Sequence, residues 1–104
     1  VDTQVDRFKI PCIADLDRSQ ADHSRAIVIG TGFGGLAAAI RLAVKGYEVT
    51  VLEKLDSPGG RAYVHRRNGY IFDAGPTIIT APFLLEELWN LCGKNMSDDI
   101  DLRL

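Results

Sequence analysis

The 104 residues predict an α/β fold: a short parallel strand–helix–strand unit, then a β-hairpin and a second helix. Three observations lead there. The apolar run Ala26-Ile27-Val28-Ile29 breaks into four closely spaced glycines, Gly30, Gly32, Gly34 and Gly35, and then opens an alanine-rich segment. A second β-branched run, Glu48–Leu52, returns after only Gly46 and Tyr47, a connection short enough for a compact right-handed βαβ unit. Further on, Asn68-Gly69 separates two short runs of strand-forming residues, the strongest short-range signal for a hairpin.

Taken in order, residues 1–24 read as an irregular, polar leader in which Phe8, Ile10 and Ile13 dock loosely and Pro11 opposes regular structure. A buried strand is expected over Arg25–Ile29, a helix over Gly34–Lys45 closed by Gly46 in the left-handed conformation, and a second buried strand over Glu48–Leu52. Only Arg41 and Lys45 interrupt the apolar surface of that helix, so it requires cover on more than one side. The chain offers too little further structure for that. Residues 25–104 are therefore expected to be the first part of a larger nucleotide-binding domain whose remainder lies outside this sequence. A turn-rich loop follows at Lys54–Gly60. Strands are expected over Arg61–Arg66 and Tyr70–Phe72, joined at Arg67-Asn68-Gly69, with a loop at Asp73–Pro76. The last helix begins at Pro82, suited to a first helical position, and ends at Gly93. Leu84, Leu85, Leu88, Leu91 and Cys92 share one of its faces.

Composition narrows the function classes. With 46% hydrophobic and 25% charged residues and a net charge of −2, the chain is ordinary for a globular domain. Its slight acidity argues against nucleic acid, and it carries no polybasic run. The longest apolar stretch, Leu36–Ile40, is far short of a membrane span, and no signal peptide is visible. Cys12 and Cys92 form no C-x-x-C pair and read as thiols of a reducing compartment. No residues have metal-ligand spacing, and neither a nucleophile elbow nor a Cys/His pair is present. His23 reads as solvated, His65 as a surface or packing histidine, Trp89 and Tyr63 as packing residues, and Asp98, Asp99 and Asp101 as a solvated acidic stretch. No side chain is assigned as a catalytic acid or base.

The chemistry lies in three motifs. Gly30, Gly32 and Gly35 occupy the glycine positions of G-x-G-x-x-G. The first permits a sharp turn, the second lets backbone approach a pyrophosphate, and the third lets the helix lie close to the strand. Phe33 and Gly34 complete the turn, where unpaired N–H groups and the positive end of the helix dipole face an anion. Glu53, with Lys54 beside it, closes the next strand, where a carboxylate accepts both ribose hydroxyls of an adenosine and repels a 2′-phosphate. A solvated acid paired with Lys54 or Arg61 is the simpler alternative for Glu53. Pro58-Gly59-Gly60-Arg61 joins a tight backbone to a guanidinium fork able to neutralise a pyrophosphate, against the alternative of a plain turn with a surface arginine. A simple NAD dehydrogenase needs no such element, which favours FAD. Asp73-Ala74-Gly75-Pro76-Thr77 suits a loop lying against a flat ring system, or an ordinary turn before the last helix.

Together, Ala26–Ala37, Leu52-Glu53-Lys54, Pro58–Val64 and Phe72–Thr80 resemble the N-terminal region of the FAD-dependent phytoene desaturases of bacteria and fungi. The resemblance covers residues 25–93. Its first two motifs are shared with the wider amine-oxidase-like flavoproteins; Arg61-Ala62-Tyr63-Val64 with Asp73-Ala74-Gly75-Pro76-Thr77 is the narrower match. One departure is Ala81, where many relatives carry Asp; its absence removes a helix cap worth ~1 kcal/mol.

The resemblance implies a Rossmann-like FAD-binding unit in which Gly30, Gly32, Gly35 and Glu53 hold the cofactor. Gly60 and Arg61 would line the pyrophosphate, and Gly75, Pro76 and Thr77 would approach the flavin. It implies double bonds introduced into phytoene or a related carotene by hydride transfer to FAD, and a cytoplasmic enzyme peripherally attached to membrane lipid through segments outside this chain. The 104 residues alone are expected to be inactive. Three other readings remain: a sister flavoenzyme such as a carotenoid isomerase or amine-type oxidase, an NAD-dependent dehydrogenase, and a non-catalytic nucleotide-binding fragment.

Overall fold

The structure, a computed structural model, describes residues 24–103. The expectations for the leader, including Cys12 and His23, lie outside the described residues. Strand β1 (Arg25–Ile29), helix α1 (Phe33–Val44) and strand β2 (Glu48–Leu52) form the expected βαβ unit. β1 and β2 pair in parallel, with Val28 opposite Val51 and Ile29 opposite Leu52. The ladder continues one step beyond the strands, where the Gly30 N–H donates to the Leu52 carbonyl at 2.7 Å. This register brings the glycine turn beside Glu53.

α1 ends as its sequence requires. Gly46 has φ +94°, its N–H reaches the Ala43 carbonyl at 3.0 Å, and the Tyr47 N–H reaches the Leu42 carbonyl at 3.1 Å. These two bonds are a Schellman motif, which satisfies helix carbonyls that would otherwise lack partners. One side of α1 packs on the sheet and another on helix α2 (Pro82–Leu91), so the second cover demanded by its apolar surface comes from within the chain. Ala39 and Ala43 are fully buried there, with Val51 and Leu88. Alanine on the inner face lets the elements approach closely. The Arg41 guanidinium pairs with the Glu87 carboxylate across α1 and α2 at 3.0 Å.

Both strands were expected to be buried, and β1 is covered on one face only. Ala26 and Val28 are half-buried, whereas Ile27 and Ile29 are 67% and 84% exposed on the face away from α1. A two-stranded parallel sheet with one helix has nothing to place on its other face among the described residues.

Strands β3 (Val64–Arg67) and β4 (Tyr70–Asp73) form the antiparallel hairpin. Asn68 and Gly69 both have positive φ, +52° and +80°, as a type I′ turn requires. The hairpin starts later than expected. Gly60–Ala62 is a 3-10 turn, and β3 begins only at Val64. Gly59 and Gly60 have φ +132° and +59°, and chain leaving two such residues curls rather than extends. α2 is followed by Gly93 at φ +66° and a second Schellman pair, Gly93 N–H to Asn90 and Lys94 N–H to Trp89, both at 3.0 Å. A 3-10 turn at Met96–Asp98 then carries Asp99 to the Trp89 indole, whose Nε1–H donates to Oδ2 at 2.7 Å. Asp101 accepts from Arg103 at 2.9 Å. Asp98, Asp99 and Asp101 are all exposed, as expected of a solvated stretch, while Asp99 and Asp101 also accept these bonds, and Trp89 serves as a polar anchor as well as a packing residue.

Candidate functional site

The site is assembled from backbone before any side chain contributes. Gly30 adopts φ +94°, which only glycine takes without strain, and turns the chain out of β1. A Cβ on Gly35 would lie 2.0 Å from the Gly30 carbonyl oxygen, so the first turn of α1 fits against the end of β1 only because Gly35 has none. At Gly32 a Cβ would meet nothing within 4 Å. That backbone therefore faces open space at the start of the helix, where the N–H groups of Phe33, Gly34 and Gly35 precede the first intrahelical bond from Leu36 N–H to the Gly32 carbonyl. No side chain caps this end and no acidic residue occupies its first turn. Unpaired donors and the positive dipole end together favour an anion.

The second motif is fastened to the first. The Gly59 N–H donates to the Thr31 carbonyl at 3.0 Å, and a Cβ on Gly60 would come within 2.8 Å of the Gly32 Cα. The third motif is fastened to the second. The Ala74 N–H donates to the Tyr63 carbonyl at 3.2 Å, and a Cβ on Gly75 would lie 3.1 Å from the Ala62 Cα. Three loops separate in sequence thus close around one cleft of about 590 Å³, within the range of cofactor sites. Gly32 and Phe33 form one wall, Gly59, Arg61 and Ala62 another, and Ala74, Gly75 and Pro76 the third. Arg61 is exposed and makes no ion pair among the described residues, so its guanidinium is uncompensated at the cleft wall.

Glu53 stands beside the cleft rather than in its wall. Its Oε2 accepts from the Thr31 N–H at 2.8 Å and from the Thr31 hydroxyl, and its Oε1 accepts from the Leu55 N–H at 2.9 Å. These donors, the Thr31 hydroxyl foremost, lower its pKa from 4.5 to about 2. A pairing with Lys54 or Arg61 is not what holds it. Of the other residues singled out in the sequence, Gly34 is the second residue of α1 and does not line the cleft, and Lys54, Asp73 and Thr77 are exposed outside its lining. Asp73 instead ends β4, opposite Val64.

Two features were not read from the sequence. Thr31 is fully buried and bonds Glu53 Oε2 through both its N–H and its hydroxyl; the signal was a hydroxyl residue between the first two glycines, across the ladder from a strand-end carboxylate. Ala62 and Ala74 line the cleft, and small apolar residues carry no chemical signal. Tyr63 does more than pack: its hydroxyl donates to the Asp56 carboxylate, which raises the tyrosine pKa, and its ring meets His65 edge-on at 4.9 Å. His65 is exposed, as expected of a surface histidine. Among the described residues no group of His, Cys, Asp and Glu is arranged to hold a metal ion, and no helix is long and apolar enough to cross a membrane.

A strand, a glycine turn, a helix with an open N-terminus and a strand-end carboxylate define a dinucleotide-binding unit. The profile of the NAD(P)-binding Rossmann-like domain matches residues 28–94, and the chain belongs to that family. Within it, the chain is similar to carotenoid desaturases. It is 52% identical over 83 residues to the neurosporene-forming phytoene desaturase of Cereibacter sphaeroides, an alignment covering 80% of this chain and 16% of the relative. It is 55% identical over 87 residues to the corresponding protein of Rhodobacter capsulatus, covering 84% of this chain and 17% of the relative. It is 58% identical over 77 residues to the lycopene-forming phytoene desaturase of a Paracoccus species, covering 74% and 15% respectively. The chain thus spans about one-sixth of the length of these relatives.

Proposed function

We propose that this chain is the nucleotide-binding part of an FAD-dependent phytoene desaturase, which introduces double bonds into phytoene or a related carotene. The observation that carries this reading is the convergence of the three motif loops on one cleft. The Gly-Gly-Arg and Ala-Gly-Pro walls go beyond what a simple nicotinamide site requires, and the desaturase relatives are similar across most of this chain.

The residues present fit FAD. The bare Gly32 backbone and the open start of α1 receive the pyrophosphate, which Arg61 neutralises from the neighbouring loop. Glu53 binds the adenosine ribose, and Lys54 adds positive charge beside the nucleotide. Gly75 and Pro76, which line the cleft, approach the flavin end, with Thr77 next in the chain. When bound, FAD would supply the redox chemistry, accepting hydride from a C–H bond while a proton leaves the adjacent carbon and the C–C bond becomes double. The chain's own residues orient the dinucleotide and restrict water along its phosphates. None of them is assigned a proton transfer.

A carotene substrate is carried in lipid, so the complete enzyme works at a membrane surface from the cytoplasmic side. The similar relatives include both neurosporene-forming and lycopene-forming desaturases, so the first motifs serve enzymes with different numbers of steps. The test is to purify the complete protein and incubate it with phytoene in liposomes and FAD. Conjugated carotenes support the reading, and their chromophore length counts the steps. Bound FAD with phytoene unchanged moves the function to a sister flavoenzyme. Bound NAD in place of FAD refutes the cofactor assignment. Gly32→Val and Glu53→Arg are expected to abolish FAD occupancy, and full occupancy in both refutes the proposed site.

A further inference from the structure

Glu53 is held before any ligand arrives, and the group holding it is an otherwise unremarked side chain. Thr31 is fully buried, yet both its hydroxyl and its backbone N–H are spent on one carboxylate oxygen, Glu53 Oε2. A carboxylate oxygen accepts about two hydrogen bonds. Oε2 is therefore filled. Oε1 accepts from the Leu55 N–H, and the Lys54 N–H adds a further backbone donor to the carboxylate. The carboxylate is thus fixed by the chain itself at the end of β2, where the sequence suggested only a strand-end acid.

We propose that Thr31 is a positioning residue for the ribose of the bound dinucleotide: its hydroxyl locks Glu53 in place at the end of β2, favouring an unphosphorylated ribose. The inference rests on the reading of this cleft as a dinucleotide site. A glutamate side chain has three rotatable bonds, and holding it still before binding removes an ordering cost from association. The clamp also fixes a negative charge where a 2′-phosphate would have to sit, and a mobile carboxylate could swing away from such a phosphate. Thr31 suits this role because its backbone is already committed: its carbonyl accepts from the Gly59 N–H, so the hydroxyl is carried by the point where the first two loops join.

The test compares Thr31→Ser and Thr31→Val in the complete protein by equilibrium titration with FAD, ADP-ribose and 2′-phospho-ADP-ribose. Serine keeps the hydroxyl and is expected to bind close to the unsubstituted affinity. Valine keeps the shape and is expected to weaken FAD and ADP-ribose roughly tenfold, the usual scale for a hydrogen bond to a charged group. It should also narrow the preference against the 2′-phosphate. The deciding measurement is the double-mutant cycle with Glu53→Gln. If Thr31 acts through Glu53, Thr31→Val adds little further loss in that background. A full additional tenfold loss there, or unchanged affinity in Thr31→Val alone, overturns the proposal. Should the valine variant fail to fold, Thr31→Ala carries the same comparison without a branched side chain in the buried site. ADP-ribose binding that depends on Thr31 without FAD binding refutes the FAD reading and leaves this inference standing. Failure of the unsubstituted protein to bind any of the three overturns both.

Discussion

Replacing Gly60 with alanine tests whether the cleft depends on backbone contact between the first two loops. Two costs arise, and the structure separates them. Gly60 has φ +59°, where an alanine is disfavoured by roughly 1–2 kcal/mol. Its Cβ would also lie 2.8 Å from the Gly32 Cα, short of ordinary contact at 3.4 Å by 0.6 Å. The obstructing atom is main chain, so it cannot rotate away as a side chain does. The loops must part instead, and the displaced atom belongs to Gly32, whose bare backbone is the proposed pyrophosphate contact. Overpacking of this kind typically costs about 1–3 kcal/mol, so FAD affinity is expected to fall roughly tenfold. Gly69→Ala supplies the control. Gly69 has φ +80° at the hairpin tip and a Cβ there meets nothing within 4 Å, so it bears the conformational cost without the overlap. The assay is a titration of each complete apoprotein with FAD, read by quenching of flavin fluorescence, alongside its thermal midpoint. Both variants should lose some stability, and only Gly60→Ala should lose affinity. Equal affinity losses in the two, or none in Gly60→Ala, would refute the contact as an element of the site.

Acid should act on the fold through Glu53. Its folded pKa lies near 2 against an ordinary 4.5, so its hydrogen bonds stabilise the folded state fully above pH 4.5 and lose that contribution as the pH falls toward 2. Glu53→Gln is expected to flatten this part of the acid titration followed by near-UV circular dichroism, and superimposable curves would contradict it. Ala81→Asp restores a side-chain cap to α2, whose present N-cap makes no side-chain hydrogen bond. The gain should be ~1 kcal/mol, visible as slower amide exchange at Phe83 and in the following turn. Unchanged exchange would mean that the backbone at residue 81 does not present the carboxylate to those amides.

Much of this arrangement was legible because glycine is chosen by geometry rather than by chemistry. Gly30, Gly46, Gly69 and Gly93 each have the positive φ that a turn, helix end or hairpin tip demands, and each marks an element boundary that the sequence predicted. Gly35 was legible for a different reason: only a residue without Cβ allows the helix to meet the end of the strand. The β3 boundary was misread because Ala62-Tyr63-Val64 has strand-like composition, whereas the two glycines before it impose a turn that propensity does not register. Thr31 was missed because its position in the glycine motif accepts many residue types, and its value depends on the Ile29–Leu52 register that places Glu53 beside it. The Trp89–Asp99 bond spans a helix end and a 3-10 turn, and no local pattern announces such a pairing.

Cofactor affinity and stability are divided between different parts of this unit. The cleft lies beyond the carboxyl ends of β1 and β2, the usual place for a ligand on a parallel sheet, and its walls are clamped to one another by main-chain bonds from Gly59 and Ala74. The apolar surface of Ile27 and Ile29 lies on the sheet face away from α1 and takes no part in those clamps. Burying that face would add stability in proportion to the area removed from water. It would leave the separations between Gly32 and Gly60 and between Ala62 and Gly75 untouched, because those are set by contacts within the loops. A substitution at Ile29 should therefore change how long the site persists, while one at Gly60 changes what the site can hold.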